Sequence, residues 1–240
     1  MAFLIALGAL GAWVGARETG VFAVRTVDVG GASPAVAGQV RKALAPARGM
    51  SLLKVDLAES LQTVEAIPTV ESARFDRAFP HTLRVVVVPE RGVAIVRQGA
   101  DSYLVAESGR VMGTADRHDR PALARIWVDR TVKLAVGEPT TGDLRTAVAA
   151  VTPLLGSHFP GRVSSVTATA DALMLRLRSG LEIRLGDTLD VPLKLAVAAR
   201  VIPLLDDGTD DYLDVAVPER PVSGSLNSQV EVDGVPSTTP

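Results

Sequence analysis

The sequence predicts an α+β chain in four parts. These are an N-terminal transmembrane helix, a βααββ unit, a mostly β second domain with two helices, and a disordered C-terminal tail. Three observations carry this reading. Residues 70–91, VESARFDRAFPHTLRVVVVPER, alternate as the two arms of a hairpin. One strand pattern and two amphipathic helix patterns precede that hairpin in close order. Residues 2–16, AFLIALGALGAWVGA, form an uncharged apolar run.

The apolar run is fifteen residues long. At about 1.5 Å per residue it falls short of a roughly 30 Å hydrocarbon core. Its length suits a signal-peptide core, but no basic region precedes it and no small-x-small site closes it. The preferred reading is a retained anchor over residues 1–17. Such a span recruits Met1 and a snorkelling Arg17, or begins upstream of Met1. A cleaved signal and a buried helix are the alternatives. Trp13 suits the headgroup region, and Gly11 and Gly15 have GxxxG spacing.

Residues 22–91 read as the βααββ unit. Residues 25–29 alternate as a strand that stops at Gly30-Gly31. Ser33 can cap a helix with Pro34 at its first position, and Val36, Val40, Ala43 and Leu44 form its stripe. Asp56, with Glu59 three residues on, is a variant of the capping box, and Leu57, Leu61 and Val64 follow as a stripe up to Pro68. The hairpin arms are 70–77 and 82–90. Leu83, Val85 and Val87 should face the helices, with Val40, Leu61 and Phe75 in the same core.

Residues 92–218 read as the second domain. Short strands are expected at 93–97, 102–105, 110–112 and 124–128. Thr141-Gly142-Asp143 opens a helix with Leu144, Ala147, Val148, Val151 and Leu155 on one face. Residues 163–169, 172–178 and 181–185 alternate as a meander. Residues 191–205 form a helix whose expected stripe is Leu193, Val197, Val201 and Leu204. Residues 212–217 form the last strand. Residues 219–240 are rich in Pro, Ser, Thr and Gly and read as a flexible tail.

Composition narrows the function. The 240 residues carry a net charge of −2, which gives no field for nucleic acid. There is no cysteine, so thiol chemistry and thiolate metal sites are excluded. His81, His118 and His158 lack ligand spacing, and no serine stands in GxSxG. Residues 206–211, DDGTDD, are a carboxylate cluster without the Glu of a calcium loop, and read as a solvated turn. No enzyme activity, cofactor, metal or small-molecule substrate is expected.

The order of elements, with V..A.F.R.FP.TL.V.V.PER, resembles the POTRA domain of the bacterial division family FtsQ, called DivIB in some lineages. Tyr103-Leu104-Val105 with Gly109-Arg110-Val111 is similar to the family's next strand–turn–strand. LEIRLGDT at 181–188 with Lys194-Leu195, and Tyr212-Leu213-Asp214-Val215, are similar to its last elements. The resemblance covers residues 22–221. It implies a single-pass protein of the cell membrane, mostly extracytoplasmic and enriched at the septum. It also implies FtsB/DivIC-type and FtsL-type partners, the former met around the last strand. The family usually has Arg two residues after the Asp; Ala216 stands there, and Arg220 is the candidate substitute.

The expected partner-binding residues are therefore Tyr212, Leu213, Asp214, Val215, Ala216 and Val217, read as an uncovered edge strand. Leu213, Val215 and Val217 should face the core and Tyr212, Asp214 and Ala216 the partner. Glu90 and Arg91 are read as a domain-junction pair. The rival reading is a POTRA-bearing chaperone or secretion module.

Overall fold

The computed structural model describes residues 20–116, 120, 122–155, 157–169, 172–205 and 210–225. The expected span at 1–17 lies outside them, as do most of DDGTDD and most of the tail. Among the described residues no helix is long and apolar enough to cross a membrane. The chain divides into two compact units, the first ending at Arg91 but taking in Ala135–Glu138, the second made of the rest from Gly92 on.

The first unit runs β1 (Thr26–Gly30), α1 (Pro34–Ala43), α2 (Leu57–Glu65), β2 (Val70–Ala78) and β3 (Thr82–Pro89). Local chemistry sets the helix starts. Ser33 Oγ accepts from the Val36 N–H at 3.5 Å. Asp56 Oδ1 accepts from the Ala58 and Glu59 N–H groups at 2.8 and 3.2 Å. Gly31 turns the chain at φ 80°, where any Cβ would collide with the Val87 carbonyl.

The sheet order is β1-β3-β2. β1 lies parallel to β3, with Val27 opposite Leu83, and β2 lies antiparallel. Leu83, Val85 and Val87 are buried with Val27, Val40, Leu44 and Val64. Val86 and Val88, between them, are 49% and 47% exposed. Phe75 packs against this cluster, but Leu61 is only half-buried. Val64, one turn on, takes the inward position instead. Arg77 ties β2 to the segment before α2, its Nε and Nη2 donating to the Leu52 and Val55 carbonyls at 2.7 and 2.9 Å.

The second unit contains β4 (Gly92–Gln98), β5 (Asp101–Ala106), β6 (Val111–Thr114), β7 (Ala124–Trp127), α3 (Gly142–Val151), β8 (Val163–Ala168), β9 (Leu173–Leu177), β10 (Glu182–Gly186), α4 (Val191–Val201), β11 (Tyr212–Asp214) and β12 (Val222–Gly224). They form a nine-stranded sheet in the order β12-β11-β10-β9-β8-β7-β4-β5-β6. One sheet face is dry. Val96, Ile126, Val166, Leu175, Ile183 and Leu213 bury there against Leu144, Val148 and Val151 of α3 and Leu195 and Ala198 of α4.

Three expectations need correction here. The stripe of α4 is only partly as expected: Val197 and Val201 pack half-buried against the core, but Leu193 is 50% exposed and Leu204, beyond the helix end, is 80% exposed, while Lys194, Leu195 and Ala198 are buried. Lys194 belongs to the inward stripe because its Nζ donates to the carboxylate and the carbonyl of Asp187. The last strand is shorter than 212–217, ending at Asp214. Finally, Val222–Gly224, expected in the tail, is a strand that covers β11.

Leu83→Ala is expected to cost about 2–5 kcal/mol, the range for truncating a buried leucine, and Val86→Ala under about 0.5 kcal/mol. Urea denaturation of both variants checks the register, since a slip by one residue would reverse the two values.

Asp187 makes a second test. The hydrogen bond from Lys194, and then the Leu189 N–H, hold its carboxyl below the usual carboxylate range. A depressed folded-state value means stability that is present above about pH 4 and lost as pH falls through the folded value. Asp187→Asn should melt lower than wild type at pH 7, with the gap closing in acid. Thermal melts across pH check this.

Candidate interaction surface

The expected partner residues lie at one end of the nine-stranded sheet. β11 pairs parallel with β10, Tyr212 opposite Glu182, Leu213 opposite Ile183 and Asp214 opposite Arg184. Leu213 and Val215 are fully buried and fasten this end to the core. The Val215 N–H donates to the Arg184 carbonyl at 2.9 Å, and Asp214 Oδ1 accepts from the Ala216 N–H at 2.9 Å. That second bond turns the chain out of the ladder, so Val217 leaves the core and is 55% exposed. Its inward placement was expected and is not found.

Tyr212 is half-buried. The Arg184 guanidinium carbon lies 4.4 Å from its ring centroid. Arg184 Nε also donates to Glu182 Oε1 at 2.9 Å, and Arg176 reaches Glu182 Oε2 at 3.7 Å. From the other side, the tyrosine hydroxyl lies 3.2 Å from where a Cβ on Gly224 would stand. Tyr212 is therefore held between Arg184 and β12.

β12 lies antiparallel to β11, Tyr212 opposite Gly224 and Asp214 opposite Val222. It is the outermost strand on this side, so the edge expected at 212–217 belongs to β12. Asp211 stitches the end together. Its N–H donates to the Gly224 carbonyl, its carbonyl accepts from the Glu182 N–H, and its carboxylate accepts from Ser225 Oγ, each at 2.9 Å. Sequence reasoning missed β12 because VSG has neither length nor alternation; Gly224 lying against the Tyr212 ring is its only signal.

Ala216 is half-buried, and its Cβ lies 2.8 Å from where a Cβ on Gly186 would stand. Gly186, at φ 64°, leaves room for it. Arg220 is exposed in the turn before β12. Glu90 is buried, with its N–H donating to the Thr69 carbonyl at 3.0 Å, and Arg91 is exposed. Among the described residues no group of three or more His, Asp and Glu side chains converges.

Comparison with known proteins agrees with this architecture. Residues 22–91 match the family described as POTRA domain, FtsQ-type, and residues 94–216 match Cell division protein FtsQ/DivIB, C-terminal. Cell division protein FtsQ of Streptomyces venezuelae is 28% identical over 242 residues, covering 92% of this chain and 83% of that protein. Cell division protein FtsQ of Mycobacteroides abscessus is 31% identical over 173 residues, covering 70% of this chain and 54% of that protein. Fold and matches define a class, that of bacterial cell-division proteins in which a POTRA domain precedes a helix-backed sheet domain. Within that class the chain belongs to the FtsQ/DivIB family, generally a non-enzymatic component of the division machinery.

Tyr212→Ala should leave the core intact but release β12, because the ring is what Gly224 lies against. Faster hydrogen exchange confined to the amides of Asp211 and of residues 222–224 is the expected outcome; uniform loss of protection would show a core role instead.

Proposed function

We propose that this protein is a non-enzymatic, bitopic membrane scaffold of the bacterial division machinery. Its N-terminal run anchors it, and the bulk of the chain stands outside the cytoplasm at the septum. The observation that carries the reading is the open end of the sheet. The last strand in the order is β12, with Val222 55% exposed, and an outermost strand offers backbone groups to an added strand. We take the partner to be an FtsB/DivIC-type protein arriving with an FtsL-type companion. In this reading the backbone of β12 forms the ladder. Tyr212, Leu213, Asp214, Val215, Ala216 and Val217 build the platform beneath it, and Arg220 supplies the charge that Ala216 lacks. Glu90 and Arg91 are the junction residues between the two units. The alternative, a POTRA-bearing chaperone or secretion module, is disfavoured by the match of the second unit to the FtsQ/DivIB C-terminal family.

A titration of the full chain in detergent with the extracytoplasmic segment of the FtsB/DivIC-type protein tests this. Val222→Pro removes the donor that faces Asp214, breaks the β11–β12 ladder that holds the outer strand, and should weaken binding at least about tenfold. Tyr212→Ala should cost about 1–2 kcal/mol. If both variants bind as wild type does, the interface lies elsewhere. A fluorescent fusion that fails to gather at the septum would favour the alternative.

A further inference from the structure

The sheet face turned away from α3 and α4 carries a basic corner that the β12 edge does not use. Arg97 on β4 is 8% exposed, and Ser102, directly opposite on β5, is 5% exposed. Among the described residues, Arg97 Nε and Ser102 Oγ have no hydrogen-bond partner. Buried polar atoms are almost always satisfied, so two orphans on paired residues point to an absent acceptor. On its other side Arg97 pairs with Trp127 of β7, and its guanidinium carbon lies 4.5 Å from the ring centroid. Stacking holds the flat face of the guanidinium on the indole and leaves its N–H edge for an oxyanion. Trp127 is itself 57% exposed, so an apolar platform adjoins the cation.

Other cations converge on the same place. Arg125, two residues before Trp127, shares its face. Burial first, then Arg178 and Arg97, hold its guanidinium below the usual range. The guanidinium of Arg130 comes within 3.1 Å of where a Cβ on Gly99 would stand, at the β4–β5 turn. Asp101, Asp116 and Asp129 are interspersed along the chain around these strands. Further along the face Arg176 and Arg184 are paired with Glu182, which leaves the Arg97 corner as the stretch with orphaned donors.

We propose that the Arg97–Ser102–Trp127 corner is a binding site for one carboxylate of a protein partner. A Glu or Asp side chain meets the N–H edge of Arg97 and the hydroxyl of Ser102, and a neighbouring apolar residue lies on Trp127. A lipid surface needs a broad cationic plane, which the interspersed carboxylates deny. A free phosphate makes no use of the exposed indole. Arg and Trp side by side, one buried and one open, are instead the composition of a protein-binding hot spot. Three strands, β8, β9 and β10, separate this corner from β11, so it is a second contact area.

Calorimetry on the full chain in phosphatidylcholine nanodiscs tests it. The probes are the blocked peptides Gly-Leu-Glu-Leu-Gly and Gly-Leu-Gln-Leu-Gly, inorganic phosphate, and glycerol 3-phosphate as the lipid headgroup. The glutamate peptide should bind saturably and at least about fivefold more tightly than the other three. Arg97→Gln should abolish that preference. Ser102→Ala and the exposed Trp127→Ala, which keep the fold even if Arg97→Gln does not, should each weaken the peptide about threefold or more. Val222→Pro should leave it unchanged. Equal binding of the glutamine peptide, phosphates that bind as tightly as the peptide, no binding at all, or indifference to Ser102→Ala and Trp127→Ala would each overturn the proposal.

Discussion

Parallel neighbours in a sheet cannot be joined by a tight turn; they need a crossover that packs on a face. β10 and β11 are such a pair, and α4 is their crossover. α4 seats itself through Leu195, Ala198 and Lys194, the last only 3% exposed. An ammonium in that position is tolerable only if paired, and Asp187, in the loop before the helix, pairs it. The seat of α4 fixes β11, and β11 is the sole support of β12 in the sheet order. The geometry at the open end of the sheet therefore rests on a contact on the other side of the core.

The two faces of the nine-stranded sheet follow different chemistry. The helix-covered face is almost wholly Val, Leu, Ile and Ala, and its cohesion is burial. The other face uses arginine laid on aromatic rings, Arg97 on Trp127 and Arg184 on Tyr212. A stacked guanidinium has surrendered much of its rotamer freedom before any ligand arrives, so less remains to be lost on binding. The first unit has no such stacks among its described residues; its outward strand face instead sets Val86 and Val88 beside the Arg84–Asp28 pair.

Much of this was legible in the residues. The hairpin declared itself because Leu83, Val85 and Val87 alternate with residues that the structure leaves exposed. The caps at Ser33 and Asp56 were readable because capping needs only local spacing. Reading failed where a distant partner decided the outcome. The inward place of Lys194 was not readable from the helix stripe, because Asp187, which neutralises it, precedes the helix start. Tyr212 looked like an open anchor because neither Arg184 above it nor Gly224 beside it is near in sequence. β12 was hidden because a strand of three residues has no period to detect, and only its neighbour makes it a strand. The expected strands at 93–97 and 102–105 already set Arg97 and Ser102 at the two ends of one turn, but their burial without hydrogen-bond partners shows only in the packed structure.

The brevity of β12 has a consequence for how copies of the protein meet one another. A long, flat, apolar edge is sticky toward every other copy of itself and invites open-ended edge-to-edge stacking. Three residues ending in Gly224 can form only a few ladder bonds, too few to hold two identical copies together without help from side chains. At the septum proposed above, many copies side by side would therefore not be driven to polymerise through this edge. Only a molecule that adds contacts of its own beyond the ladder gains enough to stay, so the weakness of the edge works as a filter on who may use it.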